Sequence, residues 1–193
     1  MFIPCLVAHS KVKGRGVGRA LIHEIEEEAK HQGFKGLVTT AYYHNLWFMP
    51  APFFEHLGFS VARRRGASVK LAPLLDATSE EAILWKVLDS SAKAPRFLEP
   101  NYRFKPIPGK VVVDLFWNRF CLTSEIEAKR VKGISREFGD SVVLHEYPAH
   151  EKAVLLNYQI PRGIFINGKE IGWGHEAHKE GIREAIQQAL KRM

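Results

Sequence analysis

The sequence predicts an α/β protein built in two parts. Three observations carry this. Short β-branched apolar runs alternate with stretches of helical periodicity. A proline cluster divides the chain near its middle. A glycine-rich loop lies between a strand-like run and a helix-like one. The chain has 193 residues, 46% apolar and 25% charged, which is ordinary for a globular protein and excludes disorder throughout.

The first half reads strand, loop, helix, strand, helix, strand. Residues 2–8 are a short apolar run suited to a buried strand. Residues 14–18 form the glycine loop. From Arg19, the apolar positions Ala20, Leu21, Ile25 and Ala29 recur at helical spacing with Glu24 and residues 26–28 on the other faces, and Gly33 ends the helix. Residues 36–42 have the β-branched and aromatic content of a strand. Residues 53–57 are helical up to Gly58, and residues 59–64 form a further strand. A last strand is expected at 83–88, although Ser79-Glu80-Glu81 equally suits a helix start.

Pro95, Pro100, Pro106 and Pro108, followed by Gly109, mark the boundary. Proline lacks an amide donor and resists helix and central strand alike. The expected organisation is a first domain at 1–93, a proline-rich linker at 94–109 and a second domain at 110–193. The second domain opens with a buried strand at 110–116, rich in valine. A helix follows at 124–138, where Ser124 and Glu127 have the spacing of a capping box. Then come a strand at 141–146, a short helix at 149–156, a strand at 163–166, an Asn167-Gly168 hairpin turn and a closing helix at 176–191. The order βαβαββα is that of an α/β domain.

The formal net charge is +7, with 12 Lys/Arg against 9 Asp/Glu in residues 1–95 and 16 against 12 in the rest. This even spread argues against a nucleic-acid partner, which calls for a basic stripe. The compact run Arg63-Arg64-Arg65 reads as a solvated strand end or turn. No apolar run approaches the roughly 18 residues of a membrane span, so no membrane partner is expected. Two cysteines, Cys5 and Cys121, exclude a disulfide framework and suit a reducing compartment, with the cytoplasm as the expected location. The pairs His31/His44 and His175/His178 lack third and fourth ligands at suitable spacing, Glu176 notwithstanding, so no metal is expected.

The strongest chemical signal is Lys13-Gly14-Arg15-Gly16-Val17-Gly18-Arg19-Ala20. Glycines let a backbone turn with positive φ and approach a ligand closely. The free amides and dipole of the following helix start favour phosphate, and Lys13, Arg15 and Arg19 add positive charge. The spacing fits neither a dinucleotide fingerprint nor a Gly-Lys-Ser/Thr phosphate loop.

This loop resembles the coenzyme A loop of the Gcn5-related N-acetyltransferases (GNAT), Gln/Arg-x-x-Gly-x-Gly/Ala, with Lys13 where Arg or Gln is usual. Phe53-Phe54-Glu55-His56-Leu57-Gly58-Phe59 resembles their second signature, Leu-Tyr-x-x-Leu-Gly-Phe. The resemblance implies the coenzyme-binding, C-terminal half of a GNAT fold, using acetyl-CoA as co-substrate without a metal. Leu6 and Val7 would hold the pantetheine arm. Lys13, Gly14, Arg15, Gly16, Val17, Gly18 and Arg19 would hold the pyrophosphate, with Asn45 as a further contact. A small-molecule or peptide amine would attack the thioester directly. Phe54 stands where the family often has a tyrosine acid, so Tyr43 and His44 are the substitute candidates, with Tyr42 and His9 behind them. The matched strands begin at what would be the family's fourth. The expectation is therefore a fragment, or a fold completed by a missing N-terminal region or a dimer partner.

In the second half, the run from Val113 through Phe116-Trp117 and Cys121 to Ser124 resembles the thioredoxin motif Phe-Trp-x-x-Trp-Cys-x-x-Cys, with Ser124 at the second cysteine. Ile160-Pro161-Arg162 resembles the segment before the thioredoxin hairpin. That resemblance implies a thioredoxin-like fold in which Pro161 follows a cis bond and faces the thiol. The fusion resembles acetyltransferases with a YoaP-like C-terminal domain. The alternatives to acetyl transfer are a monothiol redox or thiol-binding role for Cys121, since thiols at helix N-termini ionise readily, or a non-catalytic module that binds coenzyme A or a partner.

Overall fold

The computed structural model describes residues 1–43, 49–66, 80–171 and 177–193. They form two compact units, one up to Phe97 and the other from Leu98. Both mix helices with a four-stranded sheet.

The first unit contains β1 (Phe2–Ile3), α1 (Val17–His31), β2 (Gly36–Tyr43), α2 (Ala51–Glu55), β3 (Ser60–Gly66) and β4 (Glu80–Val87). Its sheet runs β1-β2-β4-β3, with β1 parallel to β2 and the other pairs antiparallel. β1 is much shorter than the expected strand at 2–8. Pro4 has no amide to donate, and the ladder ends at Ile3↔Thr39. The segment before Val87 is a strand rather than a helix, and it occupies the space between β2 and β3.

α1 keeps Ile25 and Ala29 of the expected apolar stripe but not Ala20 and Leu21. Ile22 and Ala29 are buried and Gly18 and Ile25 half-buried, whereas Ala20 and Leu21 are exposed. The spacing Gly18, Ile22, Ile25, Ala29 is one helical stripe. Lys86 of β4 ties the helix down, donating to Glu26 at 2.6 Å and to the Leu57 carbonyl at 3.0 Å. The arginine run lies along β3, where Arg64 pairs with Glu80 at 3.1 Å and Arg65 with the buried Glu81 at 2.6 Å.

The second unit contains β5 (Val111–Trp117), α3 (Leu122–Glu137), β6 (Val142–Pro148), α4 (Lys152–Tyr158), β7 (Gly163–Ile166), β8 (Lys169–Glu170) and α5 (Lys179–Lys191). The sheet order is β6-β5-β7-β8, with β5 and β6 parallel and β7 antiparallel to both its neighbours. Asn167 (φ 47°) and Gly168 (φ 79°) connect β7 to β8 with the two positive φ values that a tight hairpin requires.

Side chains on β5 alternate between two cores. Val111, Val113 and Leu115 pack with Ala128, Val131 and Ile134 of α3 and Ile182 and Ile186 of α5. Phe116 faces the other way, into an aromatic cluster with Tyr102, Tyr147, Tyr158 and Phe165. Tyr102 comes from the stretch expected to be a linker. Asn101 N also donates to Tyr158 O at 2.8 Å. Residues 98–109 are thus part of the second unit, because the aromatic face of β5 needs a cover that α3 and α5 do not supply.

The expected capping box is also replaced. Cys121 is the N-cap of α3, so Ser124 lies inside the helix, buried, and accepts from Asn118 N at 3.0 Å. Glu127 is drawn instead to Arg162.

Candidate functional site

The glycine loop sits where β1's extension meets the start of α1. Gly14 (φ 78°) and Gly16 (φ 81°) adopt the left-handed conformation that strains any side chain. Gly16 directly precedes α1, and no side chain caps the first turn. The amides of Val17, Gly18 and Arg19 therefore have no acceptor within the helix, while Ala20 N closes the first bond to Gly16 O at 3.0 Å. A Cβ at Gly14 or Gly16 would meet nothing within 4 Å, so the space beside the loop is open. Lys13, Arg15 and Arg19 are all exposed around it. Uncapped amides, a helix dipole and three cations together favour an anion.

Gly18 serves packing. A Cβ there would lie 3.1 Å from Phe53 Cζ and 3.8 Å from Leu6 Cδ2. The absent side chain lets the first turn of α1, the strand extension and α2 meet at one point.

Beyond Ile3 the chain parts from β2, and Met49 fills the gap. Leu6 N donates weakly to Met49 Sδ at 3.2 Å, and Tyr42 N donates to Met49 O at 2.9 Å. Pro50 then takes the bridge position beside Tyr42. Leu6 is half-buried and Val7 is 57% exposed. The separation keeps this extended segment out of the β2 ladder and runs it toward the glycine loop.

Tyr43 ends β2. Its hydroxyl donates to Glu55 Oε1 at 2.5 Å and accepts from Arg64 Nη2 at 3.1 Å, and Arg64 stacks 4.3 Å above the ring. Burial, then the hydrogen bond and charge of Glu55, push its pKa up to about 12. The phenol is thus held neutral with its proton directed to Glu55. Phe54 is fully buried, edge-on to Phe53 and Phe59 at 5.2 and 5.5 Å, and serves the core. Tyr42 is buried. His9 Nδ1 accepts from Lys11 N at 3.2 Å in a short turn. The remaining candidates, His44 and Asn45, lie outside the described residues, as do His175 and Glu176.

In the second unit, Cys121 Sγ is 3.0 Å from Thr123 Oγ1 and 4.0 Å from Arg162 Nη1. Arg162 Nη1 also donates to Thr123 Oγ1 at 2.9 Å, and the guanidinium grips Glu127 through Nε at 2.7 Å and Nη2 at 2.6 Å. Burial opposes the Arg162 charge, but the bonds and charge of Glu127 outweigh it and hold its pKa up. The expected cis bond before Pro161 is not found, for the described residues contain no cis peptide. Arg162 is the neighbour of Pro161 that reaches the thiol. Sequence spacing gave no sign of this, because Arg162 and Cys121 meet only through the β5–β7 pairing.

The first unit is thus a mixed α/β unit carrying an uncapped, basic glycine loop at a helix start, an arrangement that suits an anionic group. Residues 1–59, which span β1 to α2, match the model of the Acetyltransferase (GNAT) family. This supports a GNAT acetyltransferase domain at the start of the chain. Among solved structures, a candidate GNAT acetyltransferase from Desulfovibrio desulfuricans is 19% identical, with a TM-score of 0.35, over 45% of this chain and 51% of that one. Arylalkylamine N-acetyltransferase 2 from Aedes aegypti is 23% identical, with a TM-score of 0.35, over 46% of this chain and 42% of that one. The chain thus spans about half the length of these structures. No curated protein matches it.

Proposed function

We propose that the first unit binds acetyl-CoA and contributes to direct acetyl transfer to an amine. The observation that carries this reading is the open loop: Gly14 and Gly16 in left-handed conformation before an uncapped α1, flanked by Lys13, Arg15 and Arg19. It fits a pyrophosphate by charge, by free amides and by lack of obstruction. The family match over residues 1–59 supports it. The residues proposed to hold the coenzyme are those of the loop, Lys13 to Arg19, with the main chain around Leu6 and Val7 holding an extended arm. Bound acetyl-CoA supplies a thioester carbonyl open to amine attack. The chain's own contribution is to fix the coenzyme in place beside the acceptor, which raises effective concentration. Tyr43 is proposed to keep a neutral phenol at the end of β2. Calorimetry with coenzyme A tests the reading. Saturable binding weakened about tenfold or more by Arg15→Glu/Arg19→Glu is expected. Absence of binding by the folded chain overturns it.

A second reading rests on Cys121. Cys121 stands at the N-cap position of α3 between the exposed side chains of Phe120 (68%) and Leu122 (73%), and Arg162 approaches its thiol. We propose a thioredoxin-like second unit that engages thiols through this residue, without an internal resolving cysteine. The hairpin that begins two residues after Pro161 supports the likeness. In a Cys5→Ser background, which removes the other, exposed cysteine, mass spectrometry after incubation with oxidised glutathione should show one mixed disulfide, lost on adding Cys121→Ser. A Cys5→Ser chain that takes up no glutathione at Cys121 overturns it.

A further inference from the structure

The aromatic face of β5 holds a charged residue that neither reading uses. Asp114, 3% exposed, stands in the middle of an apolar strand. A carboxylate so placed must be fully satisfied. It accepts from Tyr102 Oη at 2.5 Å on one oxygen, and on the other from Tyr147 Oη at 3.2 Å and His145 Nδ1 at 2.9 Å. Asp114 and His145 are direct partners in the parallel β5/β6 ladder. With Nδ1–H committed to the carboxylate, the imidazole keeps Nε2 for another partner.

These groups line a cavity of about 360 Å³, at the small end of the range for ligand sites. Its walls include Tyr102, Tyr147 and Tyr158, and the exposed Arg103 and Lys105 belong to its rim. Asp114, the one acid in the lining, already has three donors, whereas His145 and the two rim cations have charge or hydrogens to offer. Packing alone would favour an apolar residue at 114, as at its buried same-face neighbours Val112 and Phe116.

We infer that this cavity is a binding site for a small oxyanion, a carboxylate or phosphate carried on a compact planar molecule. The anionic group pairs with Arg103 and Lys105 and accepts from His145 Nε2–H when the ring carries both its hydrogens, and the tyrosine rings receive the planar part. Asp114 is a positioning residue: it fixes the imidazole so that Nε2 faces the ligand. The lining of the site lies wholly within the second unit.

The test is a titration of the full chain with benzoate and, separately, inorganic phosphate, followed by nitrogen chemical shifts of the histidine rings. A saturable shift of His145 Nε2 is expected, with affinity falling about tenfold in Arg103→Ala/Lys105→Ala. Both rim residues are exposed, so this variant keeps the fold. Tighter binding of benzoate than of phosphate identifies a carboxylate ligand, and the reverse order a phosphate. No saturable shift with either probe, or equal affinity in the double variant, overturns the site. Asp114→Asn should still fold, by its melting curve, yet bind benzoate more weakly; unchanged binding overturns the positioning role.

Discussion

Gly18 and Phe53 are in contact because Gly18 has no side chain: a Cβ there would stand 3.1 Å from the ring. The ring edge must give by a few tenths of an ångström to admit a methyl group. Gly18→Ala should therefore cost about 1 kcal/mol as overpacking, and Gly18→Leu considerably more. Phe53→Leu should recover most of the alanine loss. Urea denaturation of the single and double variants measures this, and an additive double variant would refute the contact.

Tyr43 makes stability depend on alkaline pH. Its pKa is raised from 10.0 to about 12, first by burial and then by Glu55. Its stabilising contribution is complete below pH 10 and disappears as pH rises through about 12, because only the unfolded chain releases the proton early. Tyr43→Phe should flatten the fall in unfolding free energy between pH 9 and pH 11.5, two test points about the ordinary tyrosine range. Parallel curves for wild type and variant would refute it.

Glu26 acts at the other end of the pH scale. The Lys86 hydrogen bond holds its pKa below the ordinary 4.5, against burial and with help from Lys30. The contribution is present above 4.5 and is lost as pH falls through the lowered value. Glu26→Gln should cost roughly 1 kcal/mol at neutral pH, and its gap from wild type should narrow at a second pH well below 4.5. Thermal melts at the two pH values decide the matter.

Glu127 anchors three donors: Arg162 Nε, Arg162 Nη2 and Ala177 N. It is nearly buried. Glu127→Ala should cost about 3 kcal/mol, in the range for breaking a buried charged pair. It should also change the rate at which iodoacetamide alkylates Cys121, since Arg162 would lose its anchor. An unchanged rate in a folded variant would uncouple the two.

Local patterns made the α/β class legible, together with the glycine loop between strand and helix and the Asn167-Gly168 turn. What they missed depends on partners distant in sequence. The exception is local: Pro4, within the run itself, cut β1 short. α1 rotated its buried face toward Gly18 because Phe53 comes down on that turn. Ser124 and Glu127 have capping-box spacing, but Asn118 and Arg162 compete for them and Cys121 takes the cap. Asp114 in an apolar strand was the one visible sign of a buried network. Tyr102 and His145 lie 12 and 31 positions away, beyond the reach of periodicity.

The alternation along β5 has a consequence for how freely the strand can change. Substitutions at 111, 113 and 115 are judged by volume alone, against α3 and α5. At 114 and 116 they are judged by chemistry, and by residues that precede the strand, such as Tyr102. A saturation library over residues 111–116 should therefore show tolerance that switches character at every step. At position 114, any rescuing second change should arise at 102, 145 or 147. Trimming the gene to begin at 110 would remove one of those three and leave the carboxylate facing water it was never built to meet.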